Sequence, residues 1–237
     1  MSAAGLYLRN IAPLPPVPSV TPIFKGTIST DTDETTTLFS SVDIGVPHPK
    51  RVVIFAGIMG ANAAVGAPYQ VTVNGISPCA ARVGLHGTIQ CCPVPAGNMA
   101  TIRATLAGSV RKYLSVYVAY PDSPFFLDSI ANSAVAGTNA VGPDLKVQAG
   151  GFVIYSGSQA TQPLSTLTTT WGGPEPVVNS GAGDVQTSNI ELTSCYTTGR
   201  IIQITDSHDL NDLTLAASLT GTKIIIAGSW GPPPPGN

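Results

Sequence analysis

Few side chains in this sequence could carry acid, base, nucleophilic or metal chemistry. The 237 residues hold three histidines and four cysteines, and an enzyme needs several such groups to converge. His48 sits between Pro47 and Pro49, and His86 lies in Gly84-Leu85-His86-Gly87, so both are expected in exposed loops. No serine stands in a Gly-x-Ser-x-Gly elbow, and no cysteine has a local protease context. Phosphate-loop and dinucleotide fingerprints are also missing. The chain therefore reads as non-enzymatic, with no cofactor.

The densest polar stretch is Asp206-Ser207-His208-Asp209-Leu210-Asn211-Asp212. Hard cations favour clustered carboxylates and carbonyls, but the spacing is not that of an EF-hand and no glycine supplies the mid-loop bend. Asp, Ser and Asn also close turns by bonding their own backbone. Turn formation explains this cluster, and the smaller one of Asp31, Asp33 and Glu34, without a metal. Cys79, Cys91, Cys92 and Cys195 lack the spacing of a disulfide framework and are expected as buried free thiols. Cys91 and Cys92 adjoin in a predicted strand, which sends one inward and one outward. The outward one is a candidate for a disulfide to a neighbouring subunit. Trp171 and Trp230, each where a strand meets a glycine turn, are expected to fill the end of a sandwich. Exposed instead, they would form a platform for a glycan.

The elements that hold these residues follow from composition and patterning. Charged residues are 10% of the chain, against about 25% in a typical soluble domain. Eleven basic and thirteen acidic residues give net −2, so no basic stripe supports nucleic-acid binding. So sparse a charge suits a surface partly hidden against partners, including further copies of the chain. No segment approaches the ~18 consecutive apolar residues that span a bilayer. The first ten residues lack the pattern of a signal peptide. With 25 glycines, 21 prolines and abundant small apolar residues, the sequence predicts an all-β protein rich in turns.

Two strand patterns occur twice, in the same order. Arg51-Val52-Val53-Ile54-Phe55-Ala56-Gly57 returns as Gly151-Phe152-Val153-Ile154-Tyr155-Ser156-Gly157. Asn98 to Gly108 returns as Asn211 to Gly221. Such repetition predicts two tandem β-sandwich domains, of jelly-roll or immunoglobulin-like order, from an internal duplication. The first is placed at 23–120 and the second at 144–231, joined by a connector at 121–143 that is loop or one short helix. Asn74-Gly75 marks a tight hairpin turn. Ala100–Leu106 with Tyr113–Tyr120, and Leu213–Leu219 with Lys223–Trp230, are read as hairpins. Residues 1–22 carry five prolines and read as an extended arm whose Leu6, Tyr7, Leu8, Ile11, Leu14 and Val17 lie on another surface. Residues 232–237 are a Pro-rich tail.

In style, the Pro-rich apolar arm, the tandem β units and the runs Val53-Ile54-Phe55-Ala56-Gly57 and Gly151-Phe152-Val153-Ile154 resemble the accessory proteins of tailed-bacteriophage virions. Those are decoration, neck and tail-appendage proteins. The resemblance implies a virion structural protein that forms a homo-oligomer or binds other virion proteins on a capsid, neck or tail. It implies assembly in the host cytoplasm, with no nucleic acid and no membrane as partner. The alternative is a receptor- or glycan-binding module of a phage appendage, with a host-surface glycan as partner.

Overall fold

The computed structural model describes all residues except 1–20, 31, 33, 60–68, 85–86, 111, 135–138, 142–143, 161–164, 172–182, 191–193, 203–212 and 233–237. The described residues form strands and turns, with no helix, so none is long and apolar enough to cross a membrane. The first half contains β1 (Ile23–Ser29), β2 (Glu34–Asp43), β3 (Val52–Met59), β4 (Tyr69–Val73), β5 (Ala80–Val83), β6 (Gly87–Pro93), β7 (Met99–Val110) and β8 (Lys112–Ala119). The second half contains β9 (Asp128–Ala134), β10 (Asn139–Val141), β11 (Phe152–Ala160), β12 (Leu167–Trp171), β13 (Val185–Ile190), β14 (Ser194–Ile201), β15 (Leu213–Ala217) and β16 (Lys223–Trp230).

Strands of the first half form a sheet in the order β1-β8-β3-β6-β5 and a second in the order β2-β7-β4. Those of the second half form β9-β16-β11-β14-β13 and β10-β15-β12, the same orders with every strand number raised by eight. All the ladders are antiparallel, as in β3 with β6 and β8, and β11 with β14 and β16.

Alternation along the core strands explains why they are continuously apolar. Val53 and Phe55 of β3 face the β2-β7-β4 sheet and pack with Val71, Ile102, Leu106 and Val116. Val52, Ile54 and Ala56 point the other way. There, with Ile89, Tyr117 and Ala119, they meet Phe152, Ile154, Ile202, Ile224, Ile226 and Trp230 of the second half. The two five-stranded sheets thus face each other across an apolar seam, and β3 is buried on both faces. The second half keeps its own core of Val153, Tyr155, Leu167, Leu213, Leu215 and Ile225.

Three expectations need correction. β7 and β8 are not a hairpin, because β7 pairs with β2 and β4 while β8 pairs with β1 and β3. Likewise β15 and β16 lie in different sheets. Both pairs are crossings from one sheet to the other. Nor is the connector all loop or helix, since Asp128–Ala134 pairs with β16 and Asn139–Val141 with β15. The Asn74-Gly75 turn is as predicted: both residues have positive φ (51° and 81°), and Val73 and Ile76 exchange backbone hydrogen bonds of 3.0 and 2.8 Å.

Candidate functional site

The sequence-predicted residues do not gather into one site. The arm residues Leu6, Tyr7, Leu8, Ile11, Leu14 and Val17 lie outside the described residues, as do His86, Asp31, Asp33 and the stretch around His208. Glu34 accepts hydrogen bonds from the Thr32 and Thr37 hydroxyls, a local turn arrangement. His48 is not an exposed loop residue but 3% exposed. Its ring meets Tyr120 edge-on at 5.5 Å, and its Nδ1 accepts from the Lys50 amide at 3.0 Å.

Both tryptophans are buried, Trp171 at 6% exposure and Trp230 at 0%. Trp230 stacks on Phe152 at 5.2 Å, meets Phe126 edge-on at 4.9 Å and donates from its indole nitrogen to Pro124 O at 3.4 Å. A sugar platform needs an open ring face, so the glycan expectation for this pair is corrected. Trp230 holds the seam between the halves.

Cys91 and Cys92 do point to opposite faces of β6, yet both are wholly buried. Cys92 lies in the first-half core and Cys91 in the seam. The face expected to be outward is covered by the second half, so neither thiol is open to a neighbouring subunit. Cys91 instead has a partner that no spacing in the sequence announces: its sulfur is 3.5 Å from that of the partly buried Cys79. Both thiols also reach Pro124 O, Cys91 at 2.9 Å and Cys79 at 3.4 Å. The hydrogen bond with Cys91 draws the Cys79 thiol down to about 7. That same bond, and then burial, push Cys91 up, while burial pushes Cys92 up to about 12.

A polar strip runs beside these thiols in the seam. The Tyr117 hydroxyl donates to Thr198 at 3.2 Å, and Thr198 donates to Ser115 at 2.7 Å. Burial, then the nearby Asp184 carboxylate, hold the Tyr117 phenol well above its ordinary range. Asp184 pairs with Arg200 at 3.3 Å. The two hydroxyl bonds join β8 to β14 across the seam, while Asp184 and Arg200 both lie in the second half.

Among the described residues, the outer face of β2-β7-β4 carries an open groove. This groove of about 650 Å3 is lined by Leu38, Gln70, Thr72, Asn74, Thr101 and Arg103, among others. Inward residues of β7, such as Ile102 and Ala104, fill the core, so Thr101 and Arg103 must face out. Leu38 stands opposite Arg103 in the ladder and is 65% exposed. Asn74 is fixed by two hydrogen bonds of 2.8 Å with the Thr101 backbone. Arg103 is the only charged side chain of the lining.

No protein-family model matches the chain, and neither does any curated protein. Among solved structures, it is similar to a conserved protein of unknown function from Pseudomonas aeruginosa PAO1. The identity is 10% over 82% of this chain and 78% of that one, with a TM-score of 0.30.

Proposed function

We propose that the chain is a non-enzymatic virion structural protein of two jelly-roll sandwiches, derived by internal duplication, that assembles through the β2-β7-β4 outer face and the arm 1–22. Duplication is supported by the repeated strand order and by a shared turn. The Arg51 amide donates to His48 O at 2.9 Å where the Gly151 amide donates to Gln148 O at 2.9 Å. The virion assignment rests on the resemblance in style to tailed-phage accessory proteins.

The observation that carries assembly is Leu38, a large apolar side chain 65% exposed in a groove with a single charge. Covering the part of the side chain still exposed gains about 1–2 kcal/mol, and one cation opposes little of that. The double variant Leu38→Asp, Arg103→Glu should still fold, with a loss of no more than about 1 kcal/mol from the two carboxylates facing each other across the ladder, yet lose self-association in sedimentation velocity and incorporation into particles. Wild-type behaviour in both assays would remove this face from the reading.

The alternative, a receptor- or glycan-binding module, keeps one supporting observation. Hydroxyls and amides from Gln70, Thr72 and Thr101 converge in the same groove and would suit a polyhydroxylated ligand. Retention on immobilised glycans that the double variant abolishes, with self-association intact, would favour this alternative.

A further inference from the structure

We propose that Cys79 and Cys91 form a modification site, a thiol pair that a peroxide oxidises to an intramolecular disulfide. Three features of the geometry carry this. The sulfurs are already 3.5 Å apart. The Cys79 amide donates to Cys91 O at 2.9 Å, and the next residue, Ala80, is the ladder partner of Cys91. This neighbouring-strand placement brings the two residues within the reach of a disulfide. Lastly, Cys79 directly precedes the edge strand β5, whose Ala81, Arg82 and Val83 are exposed. An edge of this kind can yield the roughly 1.5 Å by which the sulfurs must close to bond.

The two thiols have unequal roles. Cys79 is the partly open one, and its lowered pKa makes it the thiolate near neutral pH. Cys91 is buried and kept protonated. The Cys79 thiolate attacks one peroxide oxygen, the O–O bond breaks, and the departing oxygen takes up a proton. Cys79 is then a sulfenic acid. The Cys91 sulfur attacks the Cys79 sulfur, the S–O bond breaks, and the hydroxyl leaves as water with the Cys91 proton. Two thiols lose two electrons in all, and hydrogen peroxide is reduced to two waters.

The product would alter the seam as well as the edge. Pro124 O accepts from both thiols and from the Trp230 indole. With Cys79 ionised, the donating thiol is that of Cys91; oxidation removes this S–H and leaves the indole as the remaining donor to Pro124 O among these three.

The test uses the intact reduced chain and hydrogen peroxide, followed by alkylation under denaturing conditions and peptide mapping. Two of the four cysteines should escape alkylation, and their peptides should be joined as Cys79–Cys91 with a mass lower by two hydrogens. The rate should rise with pH through about 7, the value to which the Cys79 thiol is drawn. The titratable groups facing it are Cys91 and, beyond that, Cys92. In Cys91→Ser, a sulfenic-acid trap such as dimedone should label Cys79 and no disulfide should appear. Four alkylated cysteines, a link through Cys92 or Cys195, a cross-link between chains, or direct passage of Cys79 to sulfinic acid would each overturn the proposal.

Discussion

The two halves share a strand order but fill one rung of it in opposite ways. Val52 pairs with Ala119 in the first half, and Phe152 pairs with Trp230 at the matching rung of the second. All four belong to the seam cluster. One half supplies small side chains there and the other supplies two stacked rings. A surface made only of the first kind would leave voids against its own copy, and one made only of the second would overfill. The halves therefore complement each other rather than themselves, which favours pairing of a first half with a second half over pairing of like halves.

Cutting the larger partner is the strongest way to break that comparison. Trp230→Ala should cost about 3–5 kcal/mol, the range for deleting a buried aromatic, read as a lower midpoint in urea. Because the seam joins two cores, wild type should unfold in one transition and the variant should separate into two. The reciprocal change, Ala119→Trp, should cost about 1–3 kcal/mol through overpacking. A loss below about 1 kcal/mol for Trp230→Ala would mean that the seam contributes little and the halves stand independently.

A second contrast lies one residue before each core strand. Arg51 is wholly buried, and its guanidinium donates to Val94 O, Ile44 O, Gly45 O and Ala96 O at 2.6, 3.3, 2.8 and 2.7 Å. The matching Gly151 has no room for a side chain, since a Cβ would lie 2.3 Å from Trp230 O. In the first half a charged side chain gathers four loop carbonyls. In the second the Ser229 hydroxyl donates to Lys146 O at 2.6 Å and to Asp128 O at 3.3 Å. Arg51→Met keeps the volume but leaves the carbonyls without their donors, so it should cost about 2–4 kcal/mol. Ser229→Ala, which removes one neutral hydroxyl, should cost about 1 kcal/mol. Equal losses in urea unfolding would erase the contrast.

The contrasts at these positions also mark the limit of what the sequence discloses. The runs after Arg51 and Gly151 were legible because burial on both faces of a strand demands uninterrupted apolar residues. The Asn74-Gly75 turn was legible because few residues accept positive φ. Strand partners were not: the alternation in Ala100–Leu106 says which side chains face in, but not which strand lies alongside. β5 is not legible because Ala80-Ala81-Arg82-Val83 is short and mostly exposed, and β9 is not because Asp128–Ala134 has only Ile130 as a large apolar residue. With β5 unseen, nothing brought Cys79 to Cys91. Arg51 is legible only as the head of a repeat, since no local pattern tells a buried arginine from an exposed one.

The smallest expected effect asks whether the Arg51 cage has a counter-charge. Asp43 meets Lys25 at 2.5 Å and accepts from the Gly45 amide at 2.7 Å, next to the carbonyls that Arg51 holds. The Lys25 hydrogen bond, then that of Gly45, draw its carboxyl below the ordinary range, with a weaker pull from the Arg51 charge. A lowered folded pKa stabilises above the unfolded value of about 3.9 and is lost as pH falls through the folded one. The Asp43 side chain is 56% exposed, so solvent screening limits Asp43→Asn to about 0.5 kcal/mol at neutral pH. That difference from wild type should vanish in acid below the folded value. Combining Asp43→Asn with Arg51→Met then decides the question. If the carboxylate acts partly on the buried guanidinium, its removal should cost less once Arg51 is gone. Strict additivity in urea unfolding would leave Asp43 a partner of Lys25 and Gly45 alone, and the cage a cation held by carbonyl dipoles only.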